Sequence, residues 1–369
     1  MPKSICFIGP DNYPVLNPEV TGHFFGGESI QQVILAKAFV KLGYEVSTIV
    51  YDYGQPQGEE IDGVTVWKTF DKDEGLPGVR FFYPRMTSIF SAMAKADADV
   101  YFQSCAGVYT GYAAAYCKLY KRQFVFRLAS DSDCVPEELL IQYARDKKIY
   151  EYGLKRAHIV SAQSEYQQTL LKRHYNLDSV VVDMAVDEPS SVDVNVEPID
   201  ALWVANIREC KRPDVMLQLA RRLPALNFVM IGGPMEEEAQ LYTEVTELAK
   251  AASNVEFLGA VPYHQIGSFF RRARMFVNTS DIEGFPNTFL QAWVCGKPVV
   301  SFFDPDETIK QYKLGSAVSD LDAMAAAIPQ LLGDEEAMER IDHDAKRYVE
   351  QKNGVQTIAR IYRDMIEKC

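Results

Sequence analysis

The chain has 369 residues, 47% hydrophobic and 24% charged, which is enough for two globular domains with separate cores. Its formal net charge of −13 argues against nonspecific nucleic-acid binding and against a broad basic membrane-binding surface. No apolar run approaches the roughly 20 residues of a membrane-spanning helix, so we expect any membrane contact to be weak, local and peripheral.

The N-terminal residues and the cysteines indicate in which cellular compartment we expect the protein. The N-terminus enters a strand-like run directly, without the small-residue cleavage region of a signal peptide. The seven cysteines are odd in number and scattered, and they form no Cys-x-x-Cys pair. They fit reduced thiols better than a disulfide framework or a zinc site, so we expect a cytoplasmic protein.

The first half alternates strand-like and helix-like stretches. A strand at 4–8 is followed by a loop rich in Pro and Gly, and a helix is predicted at 29–42 from its near-helical apolar spacing. Further strands are predicted at 45–50, 63–67, 100–103, 124–127 and 159–162. Strands that alternate with helices predict a doubly wound parallel sheet.

The pattern pauses at 187–200, a stretch of Asp, Glu, Pro, Ser and Val typical of an interdomain linker. It then resumes with strands and helices predicted at 200–204, 213–222, 227–231, 235–252, 255–257, 263–273 and 275–278. We therefore predict one α/β domain over 1–187 and a second over 188–350. An amphipathic C-terminal helix is predicted within 351–369, packing back on the first domain, from the spacing of Ile358, Ile361, Tyr362, Met365 and Ile366.

The segment 281–300 is the most informative part of the chain. It places Glu283 on a Gly-Phe-Pro turn, ahead of a cap-like pair, Asn287-Thr288, and a short apolar helix that stops at Gly296. A buried strand is predicted next, at 299–303. Backbone N–H groups at a helix N-terminus beside one carboxylate suit a ligand with phosphates and hydroxyls, which points to a sugar nucleotide. The alternative is a solvated surface acid.

Two further candidates lie at the ends of predicted strands. Arg208 and Lys211 follow the strand at 200–204, where they can contact two phosphates or form part of a solvated surface. Gly26 and Gly27 precede the first long helix and can bring backbone N–H groups close to a phosphate, or serve as a plain helix entry. Ligands of open α/β sheets bind at such strand ends.

Other chemistries find little support. The sequence lacks the glycine patterns of nicotinamide-binding and P-loop proteins, and it has no Gly-x-Ser-x-Gly. Asp131-Ser-Asp133 resembles a motif that holds a metal ion, but Ser130 and Asp131 can equally cap a helix, and we predict no metal site. Of the five histidines, none with metal-ligand spacing, His23 is a candidate contact to an acceptor.

These features resemble the family-4 retaining glycosyltransferases of the GT-B fold, which build bacterial polysaccharides and glycolipids. The similarity extends over nearly the whole chain. It is carried by Gly26–Glu28 with Leu42–Val46, by Ala157–Ser164 through Ala185–Asp187, and by Ala205–Asp214, Asn254–Pro262 and Thr279–Ala292. The last segment is similar to the family's Glu-x7-Glu signature. The resemblance implies two Rossmann-like domains that face each other across a cleft.

The resemblance also implies roles for residues. Glu283 would contact hydroxyls of the donor sugar, and Arg208 and Lys211 would neutralise the leaving diphosphate. Gly26 and Gly27 would approach the donor from the first domain. Other donor contacts are implied for Val261, in the segment that cradles the base, and for the backbone of Phe285, Pro286, Asn287 and Thr288.

The signature's second Glu, which holds the ribose hydroxyls in the family, is Gln291 here. Glutamine keeps one acceptor oxygen and adds two N–H donors but carries no charge. We therefore expect Gln291 to contact the ribose with altered geometry, and we expect no pair of carboxylates of the glycosidase type.

The expected activity is metal-independent transfer of a hexosyl-type sugar, with retention and without a cofactor. The donor is a nucleotide sugar, UDP by default with GDP open, and the acceptor is a glycan or a lipid-linked glycan. Two alternatives remain: a GT-B epimerase or hydrolase, and a non-catalytic sugar-nucleotide-binding subunit. Acceptor contacts are expected around 127–134, including Arg127 and Asp131, and around 78–94, whose aromatic residues (Phe81, Phe82 and Tyr83) and Arg85 can equally belong to the core.

Overall fold

The structure is a computed structural model that describes residues 4–20, 26–72, 74–75, 81–188, 198–235, 238–281 and 283–369. The chain divides into two compact units. Unit 1 comprises Met1–Ala185 with Val355–Cys369, and unit 2 comprises Val186–Gly354. The sequence pattern predicts the divisions at 187/188 and 350/351. Most of the predicted linker, 189–197, lies outside the described residues.

Unit 1 is built on an eight-stranded sheet in the order β3-β4-β2-β1-β5-β6-β7-β8. Its strands are β1 (Ser4–Ile8), β2 (Glu45–Val50), β3 (Glu59–Ile61), β4 (Val64–Lys68), β5 (Val100–Ser104), β6 (Gln123–Arg127), β7 (Ile159–Ala162) and β8 (Val180–Val181). All neighbours are parallel except β3, which is antiparallel to β4. β1 lies between β2 and β5 and is parallel to both. The strands up to β4 therefore lie on one side of β1, and those from β5 onwards lie on its other side.

The helices of unit 1 follow the strands in the predicted alternation. They are α1 (Tyr13–Leu16), α2 (Gly27–Lys41), α3 (Thr87–Ala96), α4 (Val108–Tyr120), α5 (Ala144–Leu154) and α6 (Glu165–Tyr175). A π-helical turn covers Phe81–Met86 and a 3-10 turn covers Asp131–Cys134. A strand that is covered on both faces consists mainly of apolar residues. β1 is such a strand, because four of its five residues are buried.

Unit 2 repeats this plan on a six-stranded sheet of order β11-β10-β9-β12-β13-β14, with every neighbour parallel. Its strands are β9 (Ile199–Val204), β10 (Phe228–Ile231), β11 (Val255–Phe257), β12 (Ala273–Asn278), β13 (Val299–Ser301) and β14 (Gly315–Ala317). Its helices are α7 (Pro213–Arg222), α8 (Ala239–Lys250), α9 (Tyr263–Arg272), α10 (Asn287–Val294), α11 (Thr308–Tyr312), α12 (Leu321–Leu332) and α13 (Glu335–Lys352). The predicted fold class, two doubly wound parallel α/β sheets, is confirmed.

The last helix, α14 (Val355–Lys368), belongs to unit 1, where it packs beside α2. Tyr362 anchors it: the ring packs edge-on against Phe102 at 5.3 Å between centroids, and the hydroxyl lies 2.9 Å from Ser161 Oγ. Of the predicted apolar positions, Ile361 is 38% exposed, so the buried stripe is narrower than the sequence pattern suggests.

Some predicted bounds were wrong. The strand expected at 299–303 ends at Ser301, where the Ser301 hydroxyl accepts the backbone N–H of Phe303 and the chain leaves the sheet. The helix expected at 235–252 runs from Ala239 to Lys250. Within the described residues, no helix is both long and apolar enough to cross a membrane.

Candidate functional site in unit 2

Four loops meet at the carboxyl edge of the unit 2 sheet. The loop after β9 bonds to the loop after β10 (Ile207 N–H to Gly233 O, 2.9 Å), and the latter bonds to the loop after β11 (Gly232 N–H to Gly259 O, 2.9 Å). A Cβ at Gly232 would lie 2.0 Å from the carbonyl oxygen of Ala205, so this close approach requires glycine. Because β9 lies between β10 and β12, this edge is a topological switch point, the usual ligand position in such sheets.

Glu283 is held at this edge by three partners. Its Oε2 lies 2.5 Å from Lys211 Nζ, and its Oε1 accepts hydrogen bonds from the Ser280 hydroxyl (2.6 Å) and the Asn278 amide (3.3 Å). The Glu283 side chain is 11% exposed. These contacts fix the orientation of the Glu283 carboxylate, whereas the carboxylate of a solvated surface acid rotates freely.

The turn that carries Lys211 is fixed by hydrogen bonds to the loop after β12. The Thr279 hydroxyl donates to the carbonyl oxygens of Lys211 (2.8 Å) and Arg212 (3.0 Å), and it accepts the indole N–H of the buried Trp203 (3.0 Å). The Asp281 N–H bonds to Cys210 O at 2.9 Å. These hydrogen bonds connect the loop after β9 to the loop after β12. The connection positions Lys211 beside Glu283.

Arg208 and Arg212 flank Lys211 in different roles. Arg208 precedes the 3-10 turn Glu209–Lys211, its side chain is 42% exposed, and its Nε lies 3.5 Å from Glu238 Oε1. Arg212 adopts a left-handed conformation (φ +50°) at the start of α7 and pairs with Asp214 through two bonds of 3.1 Å. Arg208 and Arg212 are similarly exposed (42% and 37%), but Arg212 is held by its ion pairs, through which it stabilises the turn.

The α10 N-terminus borders the same edge, but the cap prediction was wrong. Pro286 is the N-cap, and its carbonyl accepts the Phe289 N–H at 3.1 Å, so Asn287 and Thr288 lie within the first turn. Phe285 packs edge-on against the buried Trp293 (6.3 Å), whose indole N–H bonds to Leu314 O at 3.2 Å. The backbone N–H groups of a first helical turn favour an anion, and here the Glu283 loop leads directly into that turn.

Gln291 is partly exposed on α10, and its side chain is hydrogen-bonded to the Tyr263 hydroxyl at the start of α9. Burial, with a further contribution from the Asp187 carboxylate, raises the pKa of Tyr263 to about 12, and the bond to Gln291 opposes this rise. Val261, the predicted contact to the base, is half-buried in the loop after β11, two residues before Tyr263. Tyr263 was missed by sequence reasoning, although it follows the segment assigned to the base.

In unit 1, Gly26 is the N-cap of α2 and Gly27 is its first residue. A Cβ at Gly26 would lie 2.1 Å from Glu28 Oε2, so glycine makes room for this carboxylate. Glu28 bonds to its own backbone N–H, and the α2 N-terminus therefore already carries an acid. His23 lies outside the described residues.

Arg127 was predicted to contact the acceptor, but the structure places it in the interior. It is 1% exposed and hydrogen-bonded to Tyr362 of α14. Through Tyr362, α14 covers the end of β6, a contact between distant parts of the chain that sequence spacing does not show. In the other region expected to contact the acceptor, Phe82 and Tyr83 are 57% and 68% exposed, while Phe81 packs against Tyr112 and residues 78–80 lie outside the described residues.

Of the two acids of Asp131-Ser-Asp133, Asp133 forms a capping box with Ser130, and Asp131 does not take part in it. Ser130 caps the 3-10 turn, and Asp133 accepts the backbone N–H groups of Ala129 (2.9 Å) and Ser130 (3.3 Å). Asp131 accepts a hydrogen bond from Gln167 at 3.0 Å. In the part of the chain that the structure describes, no three His, Cys, Asp or Glu side chains are grouped as metal ligands.

Burial raises the pKa of Asp133 from 3.8 to about 6, against the opposing effect of its backbone hydrogen bonds. A raised pKa means that the folded state binds a proton more tightly than the unfolded state. Asp133 therefore destabilises the fold above about pH 6, and this cost disappears as the pH falls towards 4. We expect wild type to gain roughly 2 kcal/mol of stability relative to Asp133→Asn between pH 7 and pH 4. Denaturant unfolding of both proteins across this range measures it, and parallel profiles would contradict the shift.

The part of the chain that carries this site is similar to known proteins. Residues 187–348 match the family model for glycosyl transferases group 1, and this segment contains Lys211 and Glu283. A relative from Escherichia coli (strain K12), WcaL, is named as a glycosyltransferase of colanic acid biosynthesis. It is 29% identical over 192 residues, which are 46% of this chain and 47% of WcaL. The match thus spans about half of the relative's length.

Two solved structures resemble the chain over its full length and theirs. Sucrose-phosphate synthase from Thermosynechococcus elongatus gives a TM-score of 0.77 at 17% identity, and Anabaena HepE, solved with UDP and glucose, gives 0.71 at 15%. At such identities the likeness establishes the fold. The chain therefore has the GT-B fold, and its residues 187–348 match the family model for glycosyl transferases group 1.

Proposed function

We propose that this protein transfers a hexosyl-type sugar, with retention, from a nucleotide sugar to a glycan or a lipid-linked glycan. The observation that carries the proposal is the Lys211–Glu283 pair, held at the switch point of unit 2 by Ser280, Asn278 and Thr279. A cation beside an oriented carboxylate matches a diphosphate joined to a sugar. UDP is the proposed nucleotide, supported by the structural neighbour that was solved with UDP and glucose.

The proposed chemistry places charge stabilisation at the loop after β9. Cleavage of the anomeric bond builds negative charge on the diphosphate, and Lys211 and Arg208 would offset it together with the N–H groups at the start of α10. These groups supply positive charge, so we propose that the reaction needs no metal ion. Glu283 would accept hydrogen bonds from sugar hydroxyls and hold the anomeric carbon in place. Gln291 would contact the ribose together with Tyr263.

A thermal-shift screen of UDP-, GDP- and ADP-sugars tests the donor assignment. We expect UDP-sugars to give the largest rise in melting temperature, because a ligand at 100 times its dissociation constant stabilises a protein by about 2.7 kcal/mol. If no nucleotide sugar shifts the melting temperature, the proposal is wrong. Release of UDP without an acceptor would favour a hydrolase, and tight binding without turnover for any acceptor would favour a binding subunit.

A further inference from the structure

Both cations that we assign to the diphosphate are paired with a carboxylate of this chain. Lys211 Nζ lies 2.5 Å from Glu283 Oε2. Arg208 Nε lies 3.5 Å from Glu238 Oε1. The two ion pairs together carry no net charge, so a diphosphate that binds here competes with a carboxylate for at least one of the two cations.

The two pairs differ in how firmly they are held. The side chains of Lys211 and Glu283 are 20% and 11% exposed, and Glu283 accepts two further hydrogen bonds. The side chains of Arg208 and Glu238 are 42% and 27% exposed, and their contact is longer. An exposed ion pair contributes little stability, because water and salt screen it. Arg208 is therefore the cation that a diphosphate can take from its carboxylate.

The position of Glu238 directs its carboxylate to the loop after β9. Glu238 is the N-cap of α8, where an acid commonly bonds to the N–H groups of its own helix. Within the described residues, its side chain makes no such capping bond. Its Oε2 instead accepts the backbone N–H of Glu209 at 2.5 Å, beside the Arg208 side chain. The carboxylate therefore serves the loop that carries the two cations.

The loops after β9 and β10 are also connected without this carboxylate. The Ile207 N–H bonds to Gly233 O at 2.9 Å, one residue before Arg208. The backbone at Arg208 is thus fixed by a contact that does not involve the ion pair. The long Arg208 side chain can leave Glu238 and turn to a phosphate while the backbone, and with it Lys211, keeps its position.

We propose that Glu238 is a positioning residue that competes with the nucleoside diphosphate for Arg208. Glu238 holds the guanidinium until the donor binds, and the guanidinium then contacts the diphosphate. After transfer the guanidinium returns to Glu238, and the nucleoside diphosphate loses one charged contact. Because product release limits the turnover of many enzymes, this exchange shortens the time for which the product stays bound. The inference rests on the proposed function and deepens it.

A role of Glu238 in fixing the turn alone predicts the opposite sign. Glu238→Gln keeps an acceptor oxygen for the Glu209 N–H and removes the negative charge. If Glu238 competes for Arg208, this variant binds a nucleoside diphosphate more tightly than wild type. If Glu238 only supports the turn, the variant binds it equally or more weakly.

Isothermal titration of the full chain with UDP tests the inference. We expect Glu238→Gln to bind UDP about threefold more tightly than wild type, and UDP to dissociate more slowly in stopped-flow displacement. In an Arg208→Gln background the same substitution should change nothing, because the guanidinium is absent. High salt should reduce the gain. The matched control is Glu244→Gln, since Glu244 is an exposed acid of α8 that accepts from Gln240, and it should bind UDP as wild type does.

Three results would overturn the inference: equal or weaker UDP binding by Glu238→Gln, the same gain in the Arg208→Gln background, or the same gain in Glu244→Gln. Each leaves the proposed function intact as long as wild type binds UDP. Absence of UDP binding to wild type contradicts the proposed function itself, and the inference about Glu238 falls with it.

Discussion

Replacing Glu283 by alanine should lower the rate of sugar transfer at least about 100-fold while the fold persists. The Glu283 carboxylate, fixed by Lys211, Ser280 and Asn278, is the acceptor that would orient the donor sugar. Its removal leaves the half-buried Lys211 ammonium without this partner, at a local cost of about 1–3 kcal/mol. Initial rates with the best donor of the thermal-shift screen, together with circular dichroism, measure both effects.

Glu283→Gln separates charge from shape, because it keeps an acceptor oxygen and loses the ion pair. Its activity should lie between those of wild type and Glu283→Ala. Glu350→Ala is the matched control, since Glu350 is an exposed acid of unit 2 on α13. Near-normal transfer in Glu283→Ala would refute the site assignment.

Lys211→Ala should weaken UDP binding at least tenfold and slow transfer about 100-fold. The ammonium lies on a turn that Thr279 and Trp203 hold in place, and we assign it to the diphosphate as charge develops there. Isothermal titration with UDP measures the dissociation constant. An unchanged constant would count against the phosphate role.

The control for Lys211 is Lys250→Ala, which removes an exposed lysine of unit 2 that pairs with Glu247. Because Lys211 and Glu283 are 2.5 Å apart, their substitutions should not be additive. The double variant should lose much less than the product of the two single losses. Fully additive effects would mean that the two groups act independently of each other.

The strands could be predicted because both sheets are parallel and covered. The predicted bounds of β1, β2, β7 and β11 coincide with the observed ones, and β1 and β7 are buried over almost their whole length, as expected of strands covered on both faces. The short edge strands β3, β8 and β14 were not predicted. They have two or three residues each and depend on pairing with a neighbour rather than on their own composition.

The surroundings of the site were harder to predict than its central residues. Glu283 and Lys211 could be named from their motifs, but their direct contact joins residues 72 positions apart. Ser280 and Asn278 were missed, although both lie just before Glu283 at the end of β12. Their side chains can be assigned to Glu283 only once the path of that loop is known.

The sequence by itself determined the fold class and the family resemblance, and it singled out the residues that we propose for the donor, because apolar periodicity and short motifs are local properties of a chain. The tertiary structure decided which polar residues are accessible. Arg127 lies at a strand end that would favour a ligand contact, yet α14, from the opposite end of the chain, covers it. The structure also brought Glu238 to Arg208, since the loops after β10 and β9 meet only when the sheet forms.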